Sequence, residues 1–250
     1  MNILITICGR SGSKGVKNKN IRVFMGNSIL KYTIAAAYLF KEKNGAYSVD
    51  ICVNSDSEQL LSLVSQYDLT CIKRPEELAQ DTSPKLPVIR YSLTYMEEVL
   101  RKQYDYIIDL DITSPLRKVA DIESALNKII KNIDNDVVFS VVPSRRNPYF
   151  NMVENRNGKI QKIINSNFVT RQQAPKVYDM NASIYCYRRN SLLNILDQSP
   201  LDGIFDMVLM KDTAVLDIDS EEDFELMEIL AGYFFKGEFK ELFEYTGNLE

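Results

Sequence analysis

Histidine is absent from the 250 residues. Its absence removes the Ser-His and Cys-His nucleophile systems, histidine-built metal sites and the commonest general base. Any chemistry then has to run on carboxylates, lysines, arginines, hydroxyls and a metal ion. Cysteine is scarce: Cys8, Cys52, Cys71 and Cys186 lie far apart with no CxxC pair, a pattern that predicts buried free thiols in a reducing compartment. No apolar run reaches the roughly 18 residues that a membrane helix needs. The opening segment Met1 to Cys8 is too short for the apolar core of a secretory signal and reads as a β-strand. The expectation is a cytoplasmic protein without a membrane partner. Charge of one sign is missing as well. With 30 basic and 34 acidic side chains and a net charge of −4, the chain has no global field to hold a nucleic-acid backbone. Nucleic acid is not an expected partner, and a phosphate site has to be local. Internal repeats and low-complexity segments are lacking too.

What is present is an alternation of short β-rich runs and helical patterns. Strands are expected at 2–8, 49–54, 69–72 and 105–110, with helices near 28–42, 57–67 and 85–102 between them. Such an order predicts a mainly parallel sheet covered by helices on both faces. In the third helix Leu86, Ile89, Leu93, Met96 and Leu100 recur at steps of three and four, which turns one stripe toward the sheet. The rhythm continues with helix 119–132, opened by acids that suit a helix N-terminus, and strand 136–142. It breaks at Pro143. From 143 to 180 the chain carries Pro143, Pro148 and Pro175, two short strand-like pieces near 149–154 and 159–164, and many polar residues, as in an excursion from the sheet. A strand at 183–188, a helix at 190–198, a strand at 213–218 and a helix at 220–233 complete the pattern. Ser220-Glu221-Glu222-Asp223 is a strong N-terminal signal for that last helix. The length suits one α/β domain over 1–250 with a modest excursion.

Directly after the first strand comes Gly9-Arg10-Ser11-Gly12-Ser13-Lys14-Gly15-Val16-Lys17-Asn18-Lys19-Asn20. Three glycines and four cations at the carboxyl end of a strand bring backbone N–H groups and positive charge into one small volume, which suits a polyphosphate. A flexible, solvated basic loop would have a similar composition. It is neither a Walker loop nor a GxGxxG turn, so neither of those signatures assigns the nucleotide. Two acidic pairs follow. Asp109 and Asp111 close the run Tyr106 to Asp111 and by alternation face one side. Asp217 and Asp219 repeat the spacing. Two acidic strand ends opposite a cationic loop are what a hard divalent cation bridging phosphates requires; capping of helix 220–233 is the other role open to Asp217 and Asp219.

The loop resembles the signature of the acylneuraminate cytidylyltransferases and of their relatives that activate 3-deoxy-octulosonate. Arg10, Ser13-Lys14-Gly15 and Lys19-Asn20 match it, with Cys8-Gly9 in place of the usual apolar-alanine pair. The resemblance continues through Arg74 to Thr82, Thr113-Ser114-Pro115-Leu116-Arg117, Arg171-Gln172-Gln173-Ala174-Pro175, Asn181, Tyr185 and Asp217-Ile218-Asp219, in family order. It implies a Rossmann-like α/β fold with a protruding dimerisation excursion at 143–180, hence a homodimer. It also implies a magnesium-dependent transfer of CMP from CTP to an acidic nine-carbon sugar. By this resemblance Arg10, Ser13, Lys14 and Lys19 hold the CTP phosphates, Asn20 and Arg74 read cytosine, and Ser83 lies near the ribose. Asp111, Asp219 and Asp217 are the magnesium ligands, and Arg171, Gln172, Asn181 and Tyr185 shape the sugar side. The family places glycine after Asn181 and an arginine two residues before it, where this chain has Ala182 and Asp179. Asp179 would repel a nearby sugar carboxylate, which points away from plain N-acetylneuraminate and toward a legionaminic or pseudaminic acid. Two other readings stay open: a nucleotidyltransferase with a different sugar and NTP, the octulosonate enzymes among them, and a catalytically silent nucleotide-binding module.

Overall fold

A computed structural model describes residues 1–12, 15–213 and 217–249. In chain order, β1 (Asn2–Gly9) leads through a one-turn 3-10 helix at Lys19–Ile21 to a tiny hairpin, β2 (Val23–Phe24) and β3 (Asn27–Ser28). Met25 at φ 46° and Gly26 at φ 85° make its turn, the positive-φ pair that a two-residue hairpin needs. Next come α1 (Ile29–Lys43), β4 (Ser48–Ser55), α2 (Glu58–Val64), β5 (Thr70–Lys73), α3 (Lys85–Leu100), β6 (Tyr106–Leu110), α4 (Val119–Lys131) and β7 (Val137–Pro143). The chain then leaves the sheet for the hairpin β8 (Val153–Arg156) and β9 (Lys159–Lys162). It returns as β10 (Tyr178–Arg188), followed by α5 (Arg189–Asn194), β11 (Phe205–Leu209), α6 (Glu221–Phe234) and α7 (Lys240–Asn248).

Seven strands form one sheet in the order β11-β7-β10-β6-β1-β4-β5. β10 runs antiparallel to both of its neighbours and the other pairings are parallel. The alternation of side chains along β1 sets up two cores. Ile3, Ile5 and Ile7 join Ala35, Phe40, Ile122 and Phe224 on the face covered by α1, α4 and α6. Leu4 joins Ile89, Leu93 and Ile107 on the face covered by α3, as the three-and-four spacing in α3 predicts. Burial on both faces explains why the central strands read as continuous apolar runs rather than as alternating ones.

Three expectations need correction. The strand expected at 213–218 falls partly on residues 214–216, outside the described ones; Thr213, Asp217 and Ile218 are not in a strand. The strand that extends β7 is instead Phe205–Leu209, because an edge strand is defined by the partner it finds. The helix expected at 190–198 is only Arg189–Asn194. Of the four free thiols, Cys52 and Cys186 are buried, whereas Cys8 and Cys71 are half-buried. The C-terminal tail, which no pattern explained, folds as α7 onto α1. Phe235 stacks on Tyr32 at 5.3 Å and on Phe243 at 4.8 Å, arrangements that add to the area these rings bury. Among the described residues no helix is long and apolar enough to cross a membrane.

The topology also fixes where a ligand can bind. From β1 the chain runs outward to β4 and β5, then returns to place β6 on the other side of β1. Between β1 and β6 the winding direction reverses, and open α/β sheets bind ligands at the carboxyl ends of such strands.

Candidate active site

Asp109 is the last but one residue of β6 and is fully buried. It points to the same side as Ile107, which belongs to the α3 face, and one oxygen accepts a 2.8 Å hydrogen bond from the Thr6 hydroxyl of β1. Asp111, just past the strand, faces the same way, as the alternation of a strand dictates. Between them stands a residue that sequence reasoning missed. The Lys85 ammonium, on the first residue of α3, lies 2.7 Å from Oδ2 of Asp109 and 2.7 Å from Oδ2 of Asp111. The Asp111 Oδ1 accepts from the Thr113 N–H at 2.8 Å and from the Thr113 hydroxyl at 2.6 Å. Burial alone would raise the Asp111 carboxyl; the Lys85 charge and the Thr113 donors overcome it and hold the group well below the usual carboxylate range. Burial likewise works against the Lys85 ammonium, and the two carboxylates reverse the effect and raise it.

Arg117, from the Thr-Ser-Pro-Leu-Arg run, is 1% exposed. Its guanidinium donates to the backbone carbonyls of Ser183 at 3.0 Å and Ser114 at 3.1 Å, and to that of Asp111. Burial pushes it down to about 10, against the pull of Asp111. Because its hydrogen bonds among the described residues all go to backbone carbonyls, Arg117 is a clamp that ties the end of β6 to β10. Its motif membership was the only signal available in sequence.

The loop after β1 lies at the same sheet edge. Arg10 pairs with Asp81. Ser11 donates its N–H to Asp56 at 2.8 Å and its hydroxyl to the same carboxylate, just past the end of β4. The Asn20 amide donates to the Arg10 carbonyl at 2.9 Å, so this side of it braces the loop. Lys19 reaches the Ile218 carbonyl and lies 3.3 Å from Asp219. A Cβ at Gly15 would run into the Asp219 carbonyl, which makes glycine necessary for this close approach. Loop and 217–219 segment thus lean on each other. Ser13 and Lys14 lie outside the described residues.

Arg74 follows β5 and is 7% exposed. Its Nε and one Nη donate to the side chain and backbone carbonyl of Asn54 at 2.8 and 3.1 Å, and Asn54 in turn donates to Ser92 at 2.9 Å. Burial lowers its pKa. A guanidinium carries five N–H donors, so this anchor orients the fork without using all of it. The Ser83 hydroxyl donates to the Glu77 carbonyl at 3.2 Å.

The four residues expected on the sugar side do not assemble together. Arg171 and Gln172 line a cavity of about 440 Å³ with Ser144, Asn147, Lys176 and Tyr178; the Arg171 guanidinium donates to the Arg145 carbonyl. Asn181 is interior: its side-chain oxygen accepts from Ser140 at 2.6 Å and its carbonyl accepts from Ser114 at 3.2 Å. It holds an irregularity of β10 between Met180 and Tyr185, where Ala182 adopts φ 53°. Tyr185 pairs in register with Asp109. Burial raises its phenol most, Lys85 opposes, and Asp111, Asp109 and Asp217 add to the rise, which puts Tyr185 in the field of both acidic pairs.

The acids themselves differ in access. Asp219 is 80% exposed, and Asp217 accepts from its neighbour's N–H at 2.7 Å. Among the described residues no three acids or thiols gather at metal-ligand spacing. The donor set still suits a hard cation, since the carboxylates are oxygen ligands, and the buried Oδ2 of Asp109 is met by the Lys85 ammonium at 2.7 Å.

A mostly parallel sheet with a switch point, a cationic loop on one side of it and buried acids on the other define an α/β protein whose sheet edge suits a phosphorylated ligand. The fold is shared with CMP:2-keto-3-deoxy-manno-octonic acid synthetase in complex with CTP, at a TM-score of 0.68 and 15% identity over 93% of this chain and 99% of that one. It is shared also with 4-diphosphocytidyl-2C-methyl-D-erythritol synthase from Anaerococcus prevotii, at a TM-score of 0.58 and 15% identity over 94% and 98%. At such identities the likeness is one of fold. The sequence pattern of the cytidylyltransferase family matches residues 4–238, and the chain belongs to that family. It is 42% identical over 229 residues to post-translational flagellin modification protein B of Campylobacter coli, covering 91% of this chain and 94% of that protein. The same figures hold for CMP-N,N'-diacetyllegionaminic acid synthase of Campylobacter jejuni.

Proposed function

We propose that this chain transfers the cytidylyl group of CTP to the anomeric hydroxyl of an acidic nine-carbon sugar, of the diacetyllegionaminic acid kind, with release of pyrophosphate. The observation that carries the reading is the 42% identity, over nine-tenths of both chains, to a CMP-N,N'-diacetyllegionaminic acid synthase. In this reaction the sugar hydroxyl oxygen bonds to the α-phosphorus and its proton passes to a carboxylate or to water, while the bond from the α-phosphorus to the oxygen that bridges to the β-phosphate breaks. Negative charge then builds on the departing pyrophosphate. Arg10 and Lys19, on the loop after β1, would meet that charge, and Ser13 and Lys14 belong to the same loop. Arg74, oriented by Asn54, presents the donor fork that suits cytosine O2 and N3. Arg171 and Gln172 offer the guanidinium and amide that would hold the sugar's carboxylate and acylamino groups.

Magnesium dependence is part of the proposal. Asp219 is the exposed carboxylate, the half-buried Asp217 stands two residues before it, and Asp111 would join them as a ligand once one of its oxygens is released. A bound magnesium would neutralise the triphosphate charge. We also infer that the protein is a dimer through the 143–180 excursion, whose exposed Val153, Ile160 and Val169 favour burial against a partner. Four free thiols suit a reducing, cytoplasmic setting.

The test is pyrophosphate release with CTP and a panel of acceptors: N,N'-diacetyllegionaminic, pseudaminic and N-acetylneuraminic acids and 3-deoxy-octulosonate. Turnover is expected with CTP and a diacylamino nine-carbon acid. Equal rates with UTP, or preference for the eight-carbon sugar, would replace this reading by the neighbouring one.

A further inference from the structure

The end of β6 carries two acids whose charges have to be balanced in a buried place. Asp109 has no exposure and Asp111 little. An uncompensated pair of carboxylates there is costly, since isolated buried charges lack the hydration that stabilises them in water. The Thr6 and Thr113 donors supply part of the compensation, and the cation shared by both carboxylates is the Lys85 Nζ, 2.7 Å from an oxygen of each. Its position on the helix is unusual. Lys85 is the first residue of α3 and no acid stands in that first turn, although a helix N-terminus disfavours a cation. The local helix electrostatics is set aside for the sake of the two carboxylates. The ammonium thus lies between two carboxylate oxygens, one from each acid, the kind of oxygen donor that a hard divalent cation also takes.

We infer that Lys85 is a positioning residue that acts as the resident cation of this seat: it keeps the Asp109 and Asp111 strand end closed to a free divalent ion, so that metal engages Asp111 only when it arrives on the nucleotide's triphosphate. The consequence is an ordered cation requirement, with nucleotide-borne metal displacing the lysine from Asp111 while Asp109 retains it. The inference rests on the cytidylyltransferase reading for the identity of the incoming ligand, whereas its test does not depend on turnover.

The experiment is a Mn²⁺ titration of the whole protein, followed by paramagnetic resonance and by thermal midpoint, with and without a non-hydrolysable CTP analogue. In the wild type without nucleotide, Mn²⁺ should bind only weakly, and Asp111→Asn should leave that weak binding unchanged. Lys85→Met, which keeps the length and removes the charge, should tighten Mn²⁺ by about tenfold or more by freeing two hard oxygen ligands. Its thermal midpoint should rise with Mn²⁺ and not with equal ionic strength of sodium. Adding Asp111→Asn to Lys85→Met should abolish the gain. A purely structural lysine would leave Mn²⁺ affinity the same in Lys85→Met as in the wild type, and that result overturns the inference. Should Lys85→Met not fold, the wild type decides: Mn²⁺ binding without nucleotide that Asp111→Asn removes also overturns it. Absence of CTP turnover alongside the expected Mn²⁺ pattern would count against the function proposed above and leave the closed seat standing.

Discussion

Asp109 and Asp111 close a central strand, buried under α3 and locked by Lys85, Thr6 and Thr113. Asp217 and Asp219 have the same spacing but stand in the turn before α6, where the Asp219 carboxyl is 80% exposed and touches one lysine at 3.3 Å. The capping that sequence suggested for this second pair falls to other residues. Ser220 accepts from the Asp223 N–H at 3.1 Å, and Asp223 accepts from the Ser220 N–H at 2.8 Å. The lesson is that one short acidic pattern can be locked into the interior in one place and lie at the surface with a single loose counter-charge in another. Burial and counter-charge decide which.

The comparison breaks most visibly if stability is measured. Asp109→Ala leaves the Thr6 hydroxyl and part of the Lys85 charge without a partner, and should cost about 3 kcal/mol, the range seen when one side of a buried ion pair is removed. Asp219→Ala should cost under about 0.5 kcal/mol, because an exposed pair at long distance contributes little. Urea unfolding of both variants checks the contrast, and equal losses would show that the 217–219 turn is as tightly held as the strand end.

Activity sharpens the same comparison in the opposite sense. If Asp111 and Asp219 both engage the metal carried by CTP, Asp111→Asn and Asp219→Asn should each lower kcat about a hundredfold, roughly 2.7 kcal/mol on the barrier. Extra magnesium should restore part of the rate. Asp219→Asn would thus be stable and slow, while Asp109→Ala is unstable. Full activity in Asp219→Asn across a magnesium titration would leave the exposed pair without a catalytic part.

The smallest expected effect concerns the bulge that lets β10 bring Tyr185 beside Asp109. Ala182 holds φ 53° there, a left-handed conformation that a Cβ disfavours by about 1–2 kcal/mol. Glycine relieves it but adds freedom to the unfolded chain, so Ala182→Gly should stabilise by roughly 0.5–1 kcal/mol. A lower thermal midpoint in that variant would mean that the Ala182 methyl contributes packing that outweighs the backbone strain.

The order of elements was legible because its signals are local. Periodicity placed α3 within two residues of Lys85–Leu100, and the Ser220 to Asp223 cap marked α6. The glycine-rich loop after β1 and the Asp109/Asp111 pair were visible as strand-end residues, and alternation gave their common face. The pairing of strands was another matter. Residues 205–209 became the edge beside β7 because hydrogen-bonded partners, not composition, make an edge strand.

Sequence by itself therefore determined the alternation of strands and helices, the cationic turn, the acids at the strand end and the exclusion of histidine chemistry, since each is a property of neighbouring residues. Only the tertiary structure decided that Arg117 is a buried backbone clamp, that Asn181 belongs to the interior, and that Lys85 joins Asp109 to Asp111. Those roles arise from contacts between segments that lie 26 residues apart for Lys85 and Asp111, 66 for Arg117 and Ser183, and 41 for Ser140 and Asn181. Such contacts depend on the sheet order, and in a fold that order is set by which faces bury one another, a condition that no single stretch of chain records.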